Sequence, residues 1–228
     1  MTLRAATLAL ALVALSAASA AATPTVARTA DDPGQLELTI PSSAGEYEYI
    51  VVQPSGSSAR LEPNPDQAPP ASPWNVAAPD CSQDPQTKIV GCTAPVTSLL
   101  VVGGDGDEAV DAKKVPFGVV GFAGGGADFL GGGLADDLLD GGAGADLIKG
   151  DLGKDTLLGG SEDDDLFGGP GADRLVGSEG RDRMFGEGQV DRLSARDGAA
   201  DGRLDCGPGS DRRERAKVDA SDPRPRSC

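Results

Sequence analysis

Aspartate recurs at every ninth position across the middle of the chain. Residues 123–194 divide into eight blocks of nine, and the sixth place of every block is aspartate. These residues are Asp128, Asp137, Asp146, Asp155, Asp164, Asp173, Asp182 and Asp191. The 228-residue chain contains no histidine, so its carboxylates, hydroxyls and carbonyls are ligands for hard cations such as calcium. The spacing therefore predicts a series of cation sites built from oxygen ligands.

Two further residue types keep the same period. The eighth place holds a large aliphatic side chain in all eight blocks, and glycine fills the first place in seven of them. A disordered acidic linker has no reason to keep an aliphatic residue at every ninth position. A fixed-period repeat is therefore the default interpretation, and disorder applies only to the calcium-free chain.

The period also predicts the elements that position the aspartates. Glycines at places one, two and four allow the positive backbone angles and the close approach of a tight turn. Places seven to nine form a short strand whose eighth residue points inward. In two of the blocks the turn glycines are Gly141, Gly142, Gly144, Gly168, Gly169 and Gly171. Two blocks return the chain to its starting side, so each 18-residue coil stacks on the last as parallel strands about 4.8 Å apart.

Stacking sorts the aspartates onto two edges. One edge would carry Asp128, Asp146, Asp164 and Asp182, and the other Asp137, Asp155, Asp173 and Asp191. A like-charge pair at ~4.8 Å costs roughly 1 kcal/mol even at the dielectric constant of water. We therefore expect a cation between successive turns, held by two aspartates and by turn carbonyls. An all-oxygen ligand set favours calcium, because magnesium demands a stricter octahedron.

The blocks resemble the G-G-x-G-x-D-x-U-x nonapeptide of RTX (hemolysin-type) calcium-binding proteins, in which U is a large aliphatic residue. The sequences GGAGADLIK at 141–149 and GGPGADRLV at 168–176 match in full, and the resemblance extends over residues 103–194. It implies an all-β, right-handed parallel β-roll that binds several Ca²⁺ ions and folds outside the cell. It also implies that the eight sixth-place aspartates are the side-chain ligands.

Several turns depart from this pattern. Glu108 replaces the aspartate in residues 103–111 and lies twenty residues before Asp128, which predicts an irregular coil at 112–120. Glycine is replaced at the second place by Asp151, Ser178 and Glu187, and at the fourth place by Glu162 and Gln189. We expect those turns to bind calcium weakly or not at all.

The N-terminus has the features of a secretory signal peptide over residues 1–22. Arg4 precedes an apolar run at 5–17, and small residues follow. This predicts export and an extracellular location; an N-terminal anchor is the alternative, because the apolar run is near the minimum length of a span. No later segment is long or apolar enough to cross a bilayer.

The four cysteines agree with export. Three pairings are possible, and we favour the two short loops, Cys81 with Cys92 and Cys206 with Cys228. Four free thiols are the alternative.

The regions on either side of the repeat predict smaller elements. Residues 28–102 form a small β region, in which 36–40 and 46–52 predict a hairpin and 87–92 and 96–102 two more strands. The proline-rich residues 53–80 predict a loop or spacer. It contains Trp74, which we interpret as a plug over the sheet rather than a binding aromatic.

Beyond residue 194 the nine-residue register slips, although Asp201 and Asp211 fall in places like the sixth. A solenoid needs its last open edge covered, so we expect residues 195–228 to form a C-terminal cap pinned by a disulfide. Contact of the basic segment 212–217 with an anionic wall polymer is the alternative.

Charge and composition narrow the function. With 36 acidic and 20 basic residues the net charge is −16, which argues against nucleic acids and anionic membranes as partners. The absence of histidine removes Ser-His-Asp, Cys-His and HExxH catalysis. We expect a secreted calcium-binding structural or interaction module rather than an enzyme, with its extracellular partner unidentified.

Two other functions remain open from the sequence. One is a secreted hydrolase or adhesin that carries the repeat as a tail. The other is a metal-independent adhesive or ice-binding solenoid, although the seventh-place residues are too irregular for the flat face that such a surface needs.

Overall fold

The computed structural model describes residues 25–28, 35–39, 48–55, 58–63, 75–76, 81–83, 90–92, 97–208 and 217–226. The predicted signal peptide, Trp74 and the segment 212–216 lie outside these residues. Within them the protein is all-β, and no helix is long and apolar enough to cross a membrane.

The strands form two ten-stranded sheets, here called sheet A and sheet B. Sheet A contains β1 (Thr25–Arg28), β2 (Gln35–Thr39), β5 (Asn75–Val76), β8 (Ser98–Val102), β10 (Val119–Gly125), β12 (Leu138–Ala143), β14 (Thr156–Ser161), β16 (Arg174–Glu179), β18 (Arg192–Ala195) and β20 (Lys217–Val218). Sheet B contains β3 (Glu48–Ser55), β4 (Ser58–Pro63), β6 (Cys81–Gln83), β7 (Val90–Cys92), β9 (Glu108–Asp111), β11 (Phe129–Gly131), β13 (Leu147–Lys149), β15 (Asp165–Pro170), β17 (Arg183–Gly188) and β19 (Leu204–Asp205).

Consecutive strands of the repeat alternate between the two sheets, as the 18-residue coil predicts. In sheet A, Leu139 pairs with Leu157, and Leu157 with Leu175. In sheet B, Ile148 pairs with Leu166. The two residues of each pair are parallel partners separated by one coil, so the chain winds a parallel β-solenoid of about six turns. The predicted parallel β-roll is confirmed.

The interior of the roll is a thin aliphatic layer between the sheets. Every eighth-place side chain is at most 2% exposed; they are Leu130, Leu139, Ile148, Leu157, Leu166, Leu175, Met184 and Leu193. No single coil could bury its own aliphatic residue, so stability depends on stacking with neighbouring coils. The strands are longer than places seven to nine, because β12, β14 and β16 run on into the glycines of the next block.

The predicted hairpin at 36–52 is wrong. Strand β2 lies in sheet A, parallel to β8, whereas β3 lies in sheet B, parallel to β9. The two strands therefore add a further coil to the roll. Leu36 and Leu38 are fully buried and continue the aliphatic layer, which gives β2 a packing reason to join the stack.

The proline-rich segment is not wholly a loop, so that prediction is wrong at three places: β3 extends to Ser55, and β4 and β5 lie within the segment. Strand β4 pairs antiparallel with β3, with Ser58 opposite Ser55, and β5 pairs with β1. Proline is compatible with strands that end or lie near an edge of the ladder, and Pro63 is the last residue of β4.

The irregular coil falls where the sequence predicts it. Val110 pairs with Leu130, whereas Gly121 pairs with Leu139, so the first of these pairs spans a longer coil than the second. The two extra residues therefore lie between 110 and 121. Ala112 and Val115 in this segment are fully buried, so the insertion adds to the interior layer.

After the repeat the chain continues both sheets for one more step. Strand β19 follows β17 in sheet B, β20 follows β18 in sheet A, and Arg226 forms a parallel bridge to Asp205. Strand pairing also places Cys81 directly opposite Cys92. The capping role of residues 195–228 and both disulfide pairings stay predictions, since Cys228 lies outside the described residues.

Candidate metal sites

The eight sixth-place aspartates are buried, which is unusual for carboxylates. Each has between 0% and 5% of its surface exposed. They lie where each strand follows its turn, and the inward eighth-place residue two positions later anchors the backbone beneath them. The repeat thus places a charged side chain in a position that is almost fully removed from solvent.

The first edge is a continuous ladder through the backbone. The N–H of Asp128 donates to Oδ1 of Asp146 at 2.8 Å, and that of Asp146 donates to Oδ1 of Asp164 at 2.8 Å. The N–H of Asp164 donates to Oδ1 of Asp182 at 3.0 Å. Each carboxylate therefore accepts from the aspartate one coil earlier, and the edge predicted from the repeat period is confirmed.

The second edge repeats this arrangement. Asp137 donates to Oδ1 of Asp155 at 2.9 Å, Asp155 to Asp173 at 2.9 Å, and Asp173 to Asp191 at 2.9 Å. The edge begins at Val119, whose N–H donates to Oδ1 of Asp137 at 2.7 Å. The two series of aspartates thus occupy separate edges, as predicted.

The second carboxyl oxygen of most of these residues is buried without a hydrogen-bond partner. Among the described residues this holds for Oε2 of Glu108 and for Oδ2 of Asp128, Asp146, Asp155, Asp164, Asp173, Asp182 and Asp201. Asp137 differs, because its Oδ2 accepts from the N–H of Gly133 at 2.6 Å. A buried carboxylate oxygen without a partner carries a desolvation cost, so these atoms are suited to bind a cation.

These oxygens point at the first-place glycines. A Cβ on Gly141 would overlap Oδ2 of Asp146 and lie 2.8 Å from the carbonyl oxygen of Gly159, in the next coil. A Cβ on Gly159 would likewise overlap Oδ2 of Asp164 and lie 2.7 Å from the carbonyl oxygen of Gly177. A carboxylate oxygen and a backbone carbonyl therefore converge on a space that only glycine leaves open.

The sequence predicts that the turn glycines provide both positive backbone angles and close approach. In the structure, different glycines provide these two properties. Gly142, Gly144 and Gly169 have positive φ angles of 99°, 125° and 101°. Gly141, Gly168 and Gly171 do not, and they are needed for close approach to carboxylate or carbonyl oxygens. In these two blocks place two bends the chain, place four does so in the first block alone, and place one makes room for the carboxylate.

Five of the residues that replace glycine at places two and four keep a positive φ. The φ angles of the non-glycine residues in the turns are 63° at Asp151, 82° at Glu162, 77° at Ser178, 69° at Glu187 and 65° at Gln189. A left-handed conformation costs a non-glycine residue roughly 1–2 kcal/mol. Stacking between coils therefore holds these non-glycine residues in a left-handed conformation that they disfavour on their own.

Burial raises the pKa of every carboxyl group in the ladders for which a shift is resolved. It raises the pKa of Asp155 and Asp164 to about 8 and that of Asp146 to about 7. The pKa values of Asp137, Asp173 and Asp182 rise to about 6, again through burial, which the donated backbone N–H only partly offsets. A bound cation would reverse this effect by favouring the charged form.

The donor set fits calcium. It consists of carboxylate oxygens and turn carbonyls, without nitrogen or sulfur. In the described part of the chain no three acidic side chains converge on one point, so a cation site there needs the backbone carbonyls as well. The chemistry that these oxygens support is cation binding.

Two ladder members, Glu108 and Asp201, fall outside the predicted aspartate set. Oδ1 of Asp128 accepts from the N–H of Glu108 at 2.6 Å, and Oδ1 of Asp201 accepts from that of Asp182 at 2.9 Å. Glu108 and Asp201 are buried, at 4% and 6% exposure. Both spacings break the period, and the turn sequences GGDGDE and GAADGR are the only signals that could have found them. Asp211, the other sixth-like residue, lies outside the described residues.

Comparison with protein families found one match. Residues 122–157, 131–166 and 158–193 match the family described as RTX calcium-binding nonapeptide repeat (4 copies). No curated protein and no solved structure matches the chain.

Proposed function

Since residues 122–193 are RTX calcium-binding nonapeptide repeats, we propose that this protein is an exported module whose β-roll folds when Ca²⁺ fills its two edges. The repeat family is a structural calcium-binding one and not an enzyme family. We assign the eight sixth-place aspartates as side-chain ligands, and turn carbonyls supply the other oxygens.

One observation carries this proposal: a row of buried carboxylate oxygens that lack hydrogen-bond partners and face a neighbouring carbonyl oxygen. The pair at Gly141, formed by Asp146 Oδ2 and the Gly159 carbonyl, is representative. Negative oxygens gathered in this way repel one another, and a divalent cation turns that repulsion into attraction. Calcium would therefore contribute directly to the free energy of folding.

Export supports the same function. Extracellular calcium sites are often weak, with dissociation constants on the order of 10⁻⁴ to 10⁻³ M. Such a site stays empty in the cytoplasm and fills outside the cell. The predicted signal peptide would deliver the chain to the compartment in which the roll is stable.

The test is a calcium titration of the protein without residues 1–22, in parallel by calorimetry and by far-UV circular dichroism. We expect binding heat together with a gain of β-sheet signal, and magnesium at the same concentration should give much less of both. Neither heat nor a spectral change on adding calcium would sink the proposal. Binding heat on a chain already fully folded in chelator would leave calcium binding intact but remove the folding requirement.

A further inference from the structure

The outer face of sheet A is positively charged at its C-terminal end. Arg174 on β16 and Arg192 on β18 are direct partners in the strand register, and both side chains are exposed. Lys217 on β20 is exposed and pairs with Ser194, two residues after Arg192. Lys217 therefore lies opposite Ser194, and Arg174 lies diagonal to it, on strands about 4.8 Å apart.

These cations are not neutralised by any residue that the structure describes. Within the described residues, Arg174, Arg192 and Lys217 form no ion pair. Like charges directly opposite each other destabilise a sheet. The fold therefore keeps a repulsive pair at this place without an internal partner.

Sheet B provides the contrast. Arg183, which has the same place in its block as Arg174, binds Asp165 through two guanidinium nitrogens. Arg203 binds Asp205 at 2.8 Å. Arg183 and Arg203 are thus paired on the surface, whereas Arg174 and Arg192 have no ion-pair partner among the described residues and can bind an external anion.

The net charge of −16 does not indicate this basic part of sheet A, because the positive and negative side chains lie on different parts of the surface. The sixth-place carboxylates lie at the two turn edges, whereas Arg174 and Arg192 lie on the strands. A shallow depression beside Ser194 is also lined by Glu179, Arg196 and Asp197. Glu179 is the last residue of β16 and Asp197 follows the end of β18, so these acidic residues limit the positive surface to the earlier part of the two strands.

We propose that the basic face, formed by Arg174, Arg192, Ser194 and Lys217, binds an acidic polysaccharide. Adjacent guanidinium groups can hold sulfate or carboxylate groups through paired, charge-assisted hydrogen bonds. Ser194 and Thr156, which is the strand partner of Arg174, add hydroxyl groups that can bond sugar hydroxyls. A linear polyanion lying along the stack would meet these cations one strand after another.

The surroundings favour a polysaccharide over other anionic partners. Binding of single-stranded nucleic acid uses aromatic side chains as stacking platforms. Among the described residues, the stacked rings are Phe167 and Phe185, whose centroids are 5.0 Å apart, and they lie on sheet B. The exposed Phe122, which a lipid surface would contact, lies on β10, three strands from Arg174 in sheet A.

The test compares two double variants with the same change of charge. R174S/R192S removes both unpaired arginines, and R183S/R203S removes the two paired ones from the other face. Binding of the calcium-loaded protein to immobilised heparin is measured, with neutral dextran as the blank. We expect R174S/R192S to lower the affinity about tenfold or more and R183S/R203S to change it by less than about twofold, since exposed charges far from a contact contribute little. R174K/R192K keeps the charge but loses the paired N–H donors of the planar guanidinium group. Its affinity for heparin should therefore lie between those of the two serine variants.

Three results would overturn the proposal. One is an equal loss of heparin binding in both serine variants, which would mean attraction to total charge alone. Another is wild-type binding to heparin no stronger than to dextran. The third is tighter binding to phosphatidylserine vesicles or to single-stranded DNA than to heparin through the same arginines. The inference rests on the proposed function only for the calcium-loaded fold, so circular dichroism and calcium titration of each variant separate a folding failure from a lost surface.

Discussion

Each aspartate of the repeat uses its two carboxyl oxygens for different purposes. Oδ1 of Asp164 accepts from the N–H of Asp146, whereas its Oδ2 has no hydrogen-bond partner among the described residues. One oxygen therefore fixes the register between coils, and the other remains for a cation. The sixth-place aspartate therefore contributes both to the alignment of the coils and to the binding of a cation.

Replacing Asp146 by alanine should weaken calcium binding and calcium-induced folding far more than replacing Asp140. Asp146 is 3% exposed in the ladder, whereas Asp140 lies on the outer face of sheet A, outside the sixth place. We expect the dissociation constant of the affected sites to rise about tenfold or more for Asp146→Ala, since a hydrogen bond to a charged group is worth about 1.5–3 kcal/mol. Calorimetric titration of both variants measures this, and equal effects would count against the register.

Gly141→Ala should destabilise the roll because the added methyl group occupies the space that Asp146 Oδ2 needs. Gly125→Ala is the matched control, because a Cβ there meets no atom nearer than 3.6 Å. We expect a loss of about 1–3 kcal/mol in the free energy of unfolding for the first variant and little change for the second. Urea unfolding in calcium measures both, and an unaffected Gly141→Ala would show that the first place need not be glycine.

At the scale of the element, the turns contain local strain that the stack holds in place. Glu187 has a φ of 69°, whereas Glu179 lies in β16 outside the left-handed region; both side chains are exposed. Glu187→Gly should therefore stabilise the calcium-loaded roll by up to about 1 kcal/mol. Glu179→Gly should destabilise it by about 0.5–1 kcal/mol, because glycine in a strand loses more backbone entropy. Thermal unfolding of the two variants compares them, and a lower melting temperature for Glu187→Gly would contradict the strain.

Elements inside the period could be predicted, and those outside it could not. Leu139 and Leu157 align because every coil has the same length, so the sequence alone determines their register. Strand β2 has an alternating pattern as well, but its partner β8 follows only after a long stretch of intervening chain. Pairing across such a distance depends on packing against the growing roll, which local patterns do not encode. A hairpin would pair β2 with the next strand in the sequence, whereas packing against the aliphatic layer favours its pairing with the more distant β8.

The residues of the candidate metal sites could likewise be predicted inside the nine-residue period but not outside it. The eight aspartates and their two edges are consequences of the period. Glu108 and Asp201 join the first edge through coils of irregular length, and backbone hydrogen bonds tolerate these lengths because the extra residues bulge elsewhere. The unpaired arginines of sheet A could not be predicted either, since pairing depends on which residue faces each side chain across the sheet.

At the scale of the whole molecule, the buried carboxylates make the calcium-free roll sensitive to pH. Burial raises the pKa of Asp173 from 3.8 to about 6 and that of Asp155 and Asp164 to about 8. The folded chain therefore binds more protons than the unfolded chain between these values, so its free energy of unfolding falls as the pH rises. The stabilisation is fully present below pH 3.8 and is lost above about pH 8.

This dependence can be measured by far-UV circular dichroism in chelator at several pH values, which reports how much of the calcium-free chain is folded. We expect the calcium-free protein to be more stable at pH 5 than at pH 8, and calcium affinity to rise over the same interval because each ion displaces protons. A calcium-free roll that gains stability between pH 5 and pH 8 would contradict the burial of these groups as carboxylic acids.

Because the regular coils have the same length, a whole coil can be added or removed without changing the register of the others. Removing residues 141–158 would join Asp140 to Gly159 and leave every remaining aspartate on its own edge, whereas removing 141–149 alone would move all later aspartates to the opposite one. The length of the roll can therefore change only in whole coils, and its ion capacity changes with it in fixed increments. Duplication or loss of one such stretch of the gene would adjust that capacity without altering any single turn.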